Sequence, residues 1–143
     1  GTGPLLDAAR SSLSDLGVAT VTEDVTAEVA VTFVAGKAGV LDHDTAMTMH
    51  TGAVVPLTPV AVTARAHAEL TKAGVVHVPD FLTTAGPLLR AYDPSGTDPV
   101  GRVSDAVAAL VPEGTGMWLA AAARAEAFLG TWRDELPKYR PLA

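Results

Sequence analysis

Cysteine, isoleucine and asparagine are absent from the 143 residues, and aromatic residues make up only 5%. Without cysteine there is no disulfide framework and no thiolate-ligated zinc or iron–sulfur centre. Positive charge is scarce as well: 10 Lys and Arg stand against 16 Asp and Glu, a formal net charge of −6. A surface that binds nucleic acid by neutralising phosphates is therefore not expected. Pro, Gly, Thr or a charge interrupts every apolar stretch before the roughly 18 residues that a membrane span requires. No charged-then-apolar leader is visible, so the expectation is a soluble, cytoplasmic domain that does not meet a membrane. Because the chain opens at Gly1 without methionine, it reads as a piece or a trimmed form of something longer.

What remains is a chain that is 48% hydrophobic, long enough for one domain with a true core and too short for two. Its apolar pattern switches repeatedly between helical and strand periods. Pro4–Leu16 reads as an amphipathic helix, with Pro4 at its first position and Gly17 past its end. Val18–Thr22 is a short strand closed by Glu23-Asp24, and Glu28–Val34 is a second strand, apolar enough to be covered on both faces. A short helix follows at Asp42–His50, with Asp42 as cap, then a strand at Ala53–Leu57. Thr58-Pro59 has the form of a helix start for a segment running to Lys72, and Val75–Val78 is a fourth strand stopped by Pro79.

Helices are expected from about Val103 to Val111 and from Gly116 onward, the last carrying Trp118, Ala122, Ala125, Phe128, Leu129 and Trp132 on one stripe, for core packing or else for a helix–helix interface with another subunit. Strand and helix alternate, which predicts a parallel α/β sheet. Asp93–Pro99 is the one internal boundary, dividing residues 1–92 from a helical segment, 93–143, packed on the same domain.

Two constellations bear on chemistry. Gly1-Thr2-Gly3-Pro4 opens a helix as a phosphate-binding glycine turn does, although Leu6 stands where a third glycine would and no strand precedes Gly1. The acids Glu23 and Asp24, about 20 residues on, lie where a ribose-binding carboxylate belongs. The second constellation is F-V-A-G-K-A-G-V-L-D-H-D-T (33–45), A-V-V-P-L-T-P (53–59) and V-V-H-V-P-D-F-L-T-T-A-G (75–86).

In order and spacing these segments resemble the nucleotide-binding domain of the glutamate/leucine/phenylalanine/valine dehydrogenases, in a divergent form. Pro79-Asp80-Phe81 is the most specific part, and the likeness extends over about residues 1–130, through the alanine-rich 121–129. The resemblance implies a Rossmann-like parallel sheet with flanking helices, its first strand missing, and two C-terminal helices. It further implies a bound dinucleotide: pyrophosphate over Gly1–Pro4, ribose at Glu23 or Asp24, and nicotinamide near Ala35, Gly36 and Thr84. An acid at the ribose favours NAD over NADP, whose 2′-phosphate it would repel.

The departures are specific. The family's nicotinamide-side asparagines fall near Val60 and at Thr84, where neither residue offers an amide's paired donor and acceptor. Pro87 replaces a glycine, and Val34 a proline. The family's catalytic Lys and Asp belong to a substrate domain that these residues do not include, so a separate domain or second subunit would have to supply it. Three readings follow: an NAD(P)-binding domain of an amino-acid dehydrogenase-like oxidoreductase; a non-catalytic scaffold or homo-oligomerisation domain that kept the fold; and a regulatory domain binding an adenine nucleotide.

Other signals are weaker. No metal site is expected of His43, His50, His67 and His77; His67 is expected on the polar side of its helix, and His77 either in solvent or facing a cleft at the sheet edge. Asp80 reads either as a cap of the following turn or as a ligand group, and Lys37 either as an anion contact or as a solvated lysine.

Overall fold

The computed structural model describes residues 3–18, 22–92 and 98–131. Within them the chain forms helix α1 (Pro4–Asp15), strand β1 (Glu28–Val34), α2 (His43–Thr48), β2 (His50–Pro56), α3 (Ala64–Lys72), β3 (Val76–His77), α4 (Asp80–Thr83), α5 (Gly86–Tyr92) and α6 (Pro99–Ala108). A 3₁₀ turn (Val111–Gly116) then leads into α7 (Met117–Gly130). The three strands lie side by side in the order β1-β2-β3, all parallel, with Val31 opposite Ala53 and Ala53 opposite Val76. This is an α/β, Rossmann-like arrangement with helices on both faces. No single helix among the described residues is long and apolar enough to cross a membrane.

Alternation along β2 divides the interior in two, because successive side chains point to opposite faces. Val54, fully buried, joins Leu41, Ala46, Ala66, Leu70 and Val75 under α2 and α3. Its neighbour Val55 packs on the other side against Val78, Leu110, Met117 and Ala121, beneath the 3₁₀ turn and α7. Burying a leucine such as Leu70, 1% exposed, contributes about 1.5–3 kcal/mol.

Helix boundaries follow local chemistry. The Asp42 carboxylate accepts from Thr45 N at 2.9 Å and starts α2. Gly17, at φ 77°, ends α1 in the left-handed conformation that glycine adopts without strain.

Several expectations are corrected here. Val18 and Thr22 are not in a strand, and the intervening positions lie outside the described residues, so the sheet described has three strands rather than four. β1 is not enclosed on both faces: among the described residues it is an edge strand, none of its seven residues is fully buried, and Val34 packs in part on the core under α2 and α3. Thr58-Pro59 does not start α3. Residues 60–63 instead pair with the Gly39–Leu41 loop through Gly39 N→Val60 O, Leu41 N→Ala61 O and Thr63 N→Leu41 O, and the Thr63 hydroxyl caps the helix by accepting from Ala66 N. The competing backbone ladder wins over the local Thr-Pro signal.

α6 begins at Asp98, whose carboxylate accepts from Val100 N, several residues before the predicted start. On α7 the packed face is Met117 and Ala121, while Ala125, Phe128 and Leu129 are exposed. Trp132 lies outside the described residues.

Candidate functional site at the carboxyl edge of the sheet

All three strands point their carboxyl ends the same way, so their following loops gather on one rim, where open α/β sheets hold ligands. The rim comprises Ala35-Gly36 after β1, Leu57–Val60 after β2, and Val78–Asp80 running into α4 after β3. Hydrogen bonds stitch it together. The Thr58 hydroxyl accepts from Gly36 N at 3.2 Å and donates to Gly36 O at 3.0 Å. The Asp80 carboxylate accepts from Val60 N with one oxygen and from Phe81 N at 2.9 Å with the other. The Thr83 hydroxyl donates to Pro56 O at 2.6 Å, and Thr84 donates to Asp80 O through both its backbone N and its hydroxyl. Asp80 is thus the first residue of α4 rather than its cap, satisfying Phe81 N in the first turn and tying it across to the β2 loop.

Val60 is the anomaly. Its φ is +54°, and it is the sole non-glycine residue with positive φ among those described. A β-branched side chain is disfavoured there, whereas Asn and Gly are tolerated. The side chain itself is 62% exposed on the rim.

The second feature is a cleft of about 560 Å³ between α1 and β1. One wall is the half-buried stripe of α1, Leu6, Ala9 and Leu13. Opposite it lie Val29–Val34 of β1 and Ala35, together with Val40, Leu41, Thr45 and Met49 at the α2 side of the sheet. Glu23 and Asp24 lie on its rim.

Of the predicted cofactor residues, Gly1 and Thr2 lie outside the described residues, and Gly3 and Pro4 begin α1 with Gly3 at φ 141°. Glu23, Asp24 and Ala35 are brought to the one cleft; Gly36 and Thr84 belong to the adjoining stitched rim. Both acids are already engaged. Glu23 is ion-paired with Arg10 of α1. Asp24 accepts from the Thr26 hydroxyl at 2.7 Å and from Thr26 N at 2.9 Å, and these bonds hold its carboxyl below the usual range. Lys37 is exposed in the loop after β1.

His67, expected on the polar side of its helix, is half-buried, and His77, expected in solvent or facing a cleft, is enclosed. His77 is 6% exposed, at the end of β3, and its Nδ1 lies 2.8 Å from Nδ1 of the half-buried His67. Trp118 lies beyond them, its ring centroid 6.0 Å from that of His67 in a tilted contact and 5.9 Å from that of Phe81 edge to face. Burial, then the neighbouring His67, push the His77 imidazole down to about 4, with Asp80 opposing. The signal that could have placed His77 inside is its position between Val76 and Val78 in a strand enclosed by helices. No group of three or more His, Asp or Glu able to hold a metal occurs among the described residues.

The positions where the resemblance implies nicotinamide do not fit that ring: Val60 is apolar, and the Thr84 hydroxyl donates to Asp80 O. Where the resemblance implies the adenosine half lie α1, 12 residues long, and two carboxylates, Glu23 ion-paired with Arg10 and Asp24 bonded to Thr26 through Oδ1.

No family model matches the chain, and no curated protein matches it either. Among solved structures it is similar to the hetero-hexameric glutamate dehydrogenase from Thermus thermophilus in its leucine-bound form, at 24% identity and a TM-score of 0.45. The match covers 87% of this chain and 37% of that one.

Proposed function

We propose that this chain is the nucleotide-binding part of an amino-acid dehydrogenase-like oxidoreductase, taking the adenosine half of NAD at the carboxyl edge of its sheet. Gly3 and Pro4 would face the pyrophosphate, Glu23 or Asp24 the ribose, and Ala35-Gly36 the central part of the ligand. The substrate domain, with the groups that act on an amino acid, would come from outside these residues. The observation that carries the reading is the order of segments: the runs at 33–45, 53–59 and 75–86 resemble the dehydrogenase family, and each crosses the carboxyl end of one of three neighbouring parallel strands. When bound, NAD would supply hydride transfer, a chemistry that Val60 and Thr84 are not suited to support.

A second reading, a scaffold that kept the fold and not the cofactor, is favoured by one observation. The polar groups of the rim satisfy each other: Thr58 with Gly36, Asp80 with Val60, Thr84 with Asp80. Calorimetric titration with NAD, NADH, NADP and AMP separates the two. Micromolar binding of NAD, stronger than of NADP, supports the first; silence toward all four in a folded protein overturns it and leaves the scaffold.

A further inference from the structure

We infer that His67, His77 and Trp118 form an acid-operated clasp over the outer edge of β3, closed while both imidazoles are neutral and opened by uptake of a proton. The clasp is independent of the nucleotide reading. α3 and α7 cover opposite faces of the sheet, and β3 is the last strand in the order β1-β2-β3. A contact between those two helices must therefore pass around β3. One does: the Trp118 ring of α7 meets the His67 ring of α3, and Phe81 of α4 meets Trp118 edge to face. Inside this contact His77 of β3 holds His67 through their Nδ1 atoms, 2.8 Å apart, with ring centroids at 4.9 Å. That bond ties the strand to the helix at this edge.

The closed pair cannot hold a further proton. Two neutral imidazoles carry two protons on four nitrogens, and one more leaves a single nitrogen bare. If the bare atom is an Nε2, two N–H groups face each other across 2.8 Å. If it is an Nδ1, the bond survives, but His77 Nε2 then bears an N–H that is buried without a partner, on a charged pair. The route of lower cost is for the half-buried His67 to turn outward and take the proton in water, which breaks both the bond and the Trp118 contact. Burial holds both imidazoles below their ordinary value, in keeping with that cost. The titratable groups that act on His77 are His67 of α3 and Asp80 of α4, whose carboxylate favours the charged ring. From the other elements packed there, β2 sets Val54 beside His77, while Glu113 of the 3₁₀ turn and Arg124 and Glu126 of α7 are exposed. On α3 itself Arg65 is exposed and Glu69 is paired with Lys72.

Acrylamide quenching of Trp118 as a function of pH tests this, in a Trp132→Phe background that leaves a single tryptophan. Far-UV circular dichroism follows folding in parallel. From neutral pH down to about 4, quenching should rise reversibly while the helical signal is kept. Below the ordinary imidazole value of 6.5, the ratio of open to closed clasp should grow by up to about tenfold per pH unit, as uptake of one proton dictates. His67→Phe keeps a ring against Trp118 and takes no proton, so it should abolish the response. Should that variant unfold, His67→Gln, which can still accept from His77, serves in its place and should be equally indifferent to pH. Quenching that stays flat in the folded protein overturns the proposal. So does a rise that comes only with loss of the helical signal, or one that survives in the His67 variants and then belongs to Asp80.

Discussion

Val60 holds a backbone conformation that its own side chain opposes. Left-handed φ costs an L-residue roughly 1–2 kcal/mol, and β-branching adds to the crowding. The loop keeps it because three backbone bonds between residues 39–41 and 60–63, with Asp80 on Val60 N, fix the path. Replacing Val60 by Asn or Gly should therefore stabilise the protein by about 1 kcal/mol, read as a higher urea midpoint at unchanged slope. The position was legible in the sequence only as a place where the resemblance implies asparagine; that the residue standing there would be strained depends on a loop pairing that no local pattern announces.

His77 offers a second test at this scale. Its folded-state value of about 4 lies below the ordinary 6.5, so the unfolded chain binds more protons between those limits. Stability should be fully present above pH 6.5 and fall progressively as pH is lowered toward 4. His77→Phe should flatten that decline, and denaturation midpoints across the range measure both. Because the two Nδ1 atoms share one hydrogen bond, the rings must adopt different tautomers. Donation from His77 leaves only a lone pair at its buried, unpartnered Nε2, the cheaper of the two arrangements. Nitrogen-15 shifts should show His77 protonated at Nδ1 and His67 at Nε2.

Among the elements, α1 and α3 contrast most sharply. Both are amphipathic by spacing, and both were readable from sequence to within a few residues or, for α3, at its end alone. Yet α3 buries Ala66 and Leu70, whereas no residue of α1 is buried. Spacing reports which side of a helix is apolar, not whether anything meets it. Leu70→Ala should cost about 2–5 kcal/mol, while Leu13→Ala in α1 should cost well under 1 kcal/mol. Chemical denaturation of the two variants makes the comparison. β1 teaches the same lesson: its boundaries match those read from sequence, but its apolar run signalled two covered faces and the strand is at an edge. Missing neighbours leave no mark on the strand that lacks them.

At the scale of the molecule, the parallel order of β1, β2 and β3 and the helices on both faces follow from the alternation of patterns along the chain. The candidate site was legible as a rim, through the glycine and Pro-Asp turns at the strand ends. Its internal hydrogen bonding was not, since those bonds join Gly36 with Thr58, Pro56 with Thr83 and Val60 with Asp80, pairs separated by about twenty residues or more. The interior is split by the sheet, so damage should stay local. Leu110→Ala should speed hydrogen exchange in α7 and the 3₁₀ turn well before it does so in α3; uniform acceleration across both would show the two sides melting as one.

That division gives β2 an unusual position. Val54 and Val55 are neighbours in the chain yet answer to different surroundings, one beneath α3 and the other beneath α7. Over many generations each surface of the protein can drift with little regard for the opposite one, so long as this single strand keeps faith with both. The thin partition, more than either helical layer, is where tolerance to change should run out first.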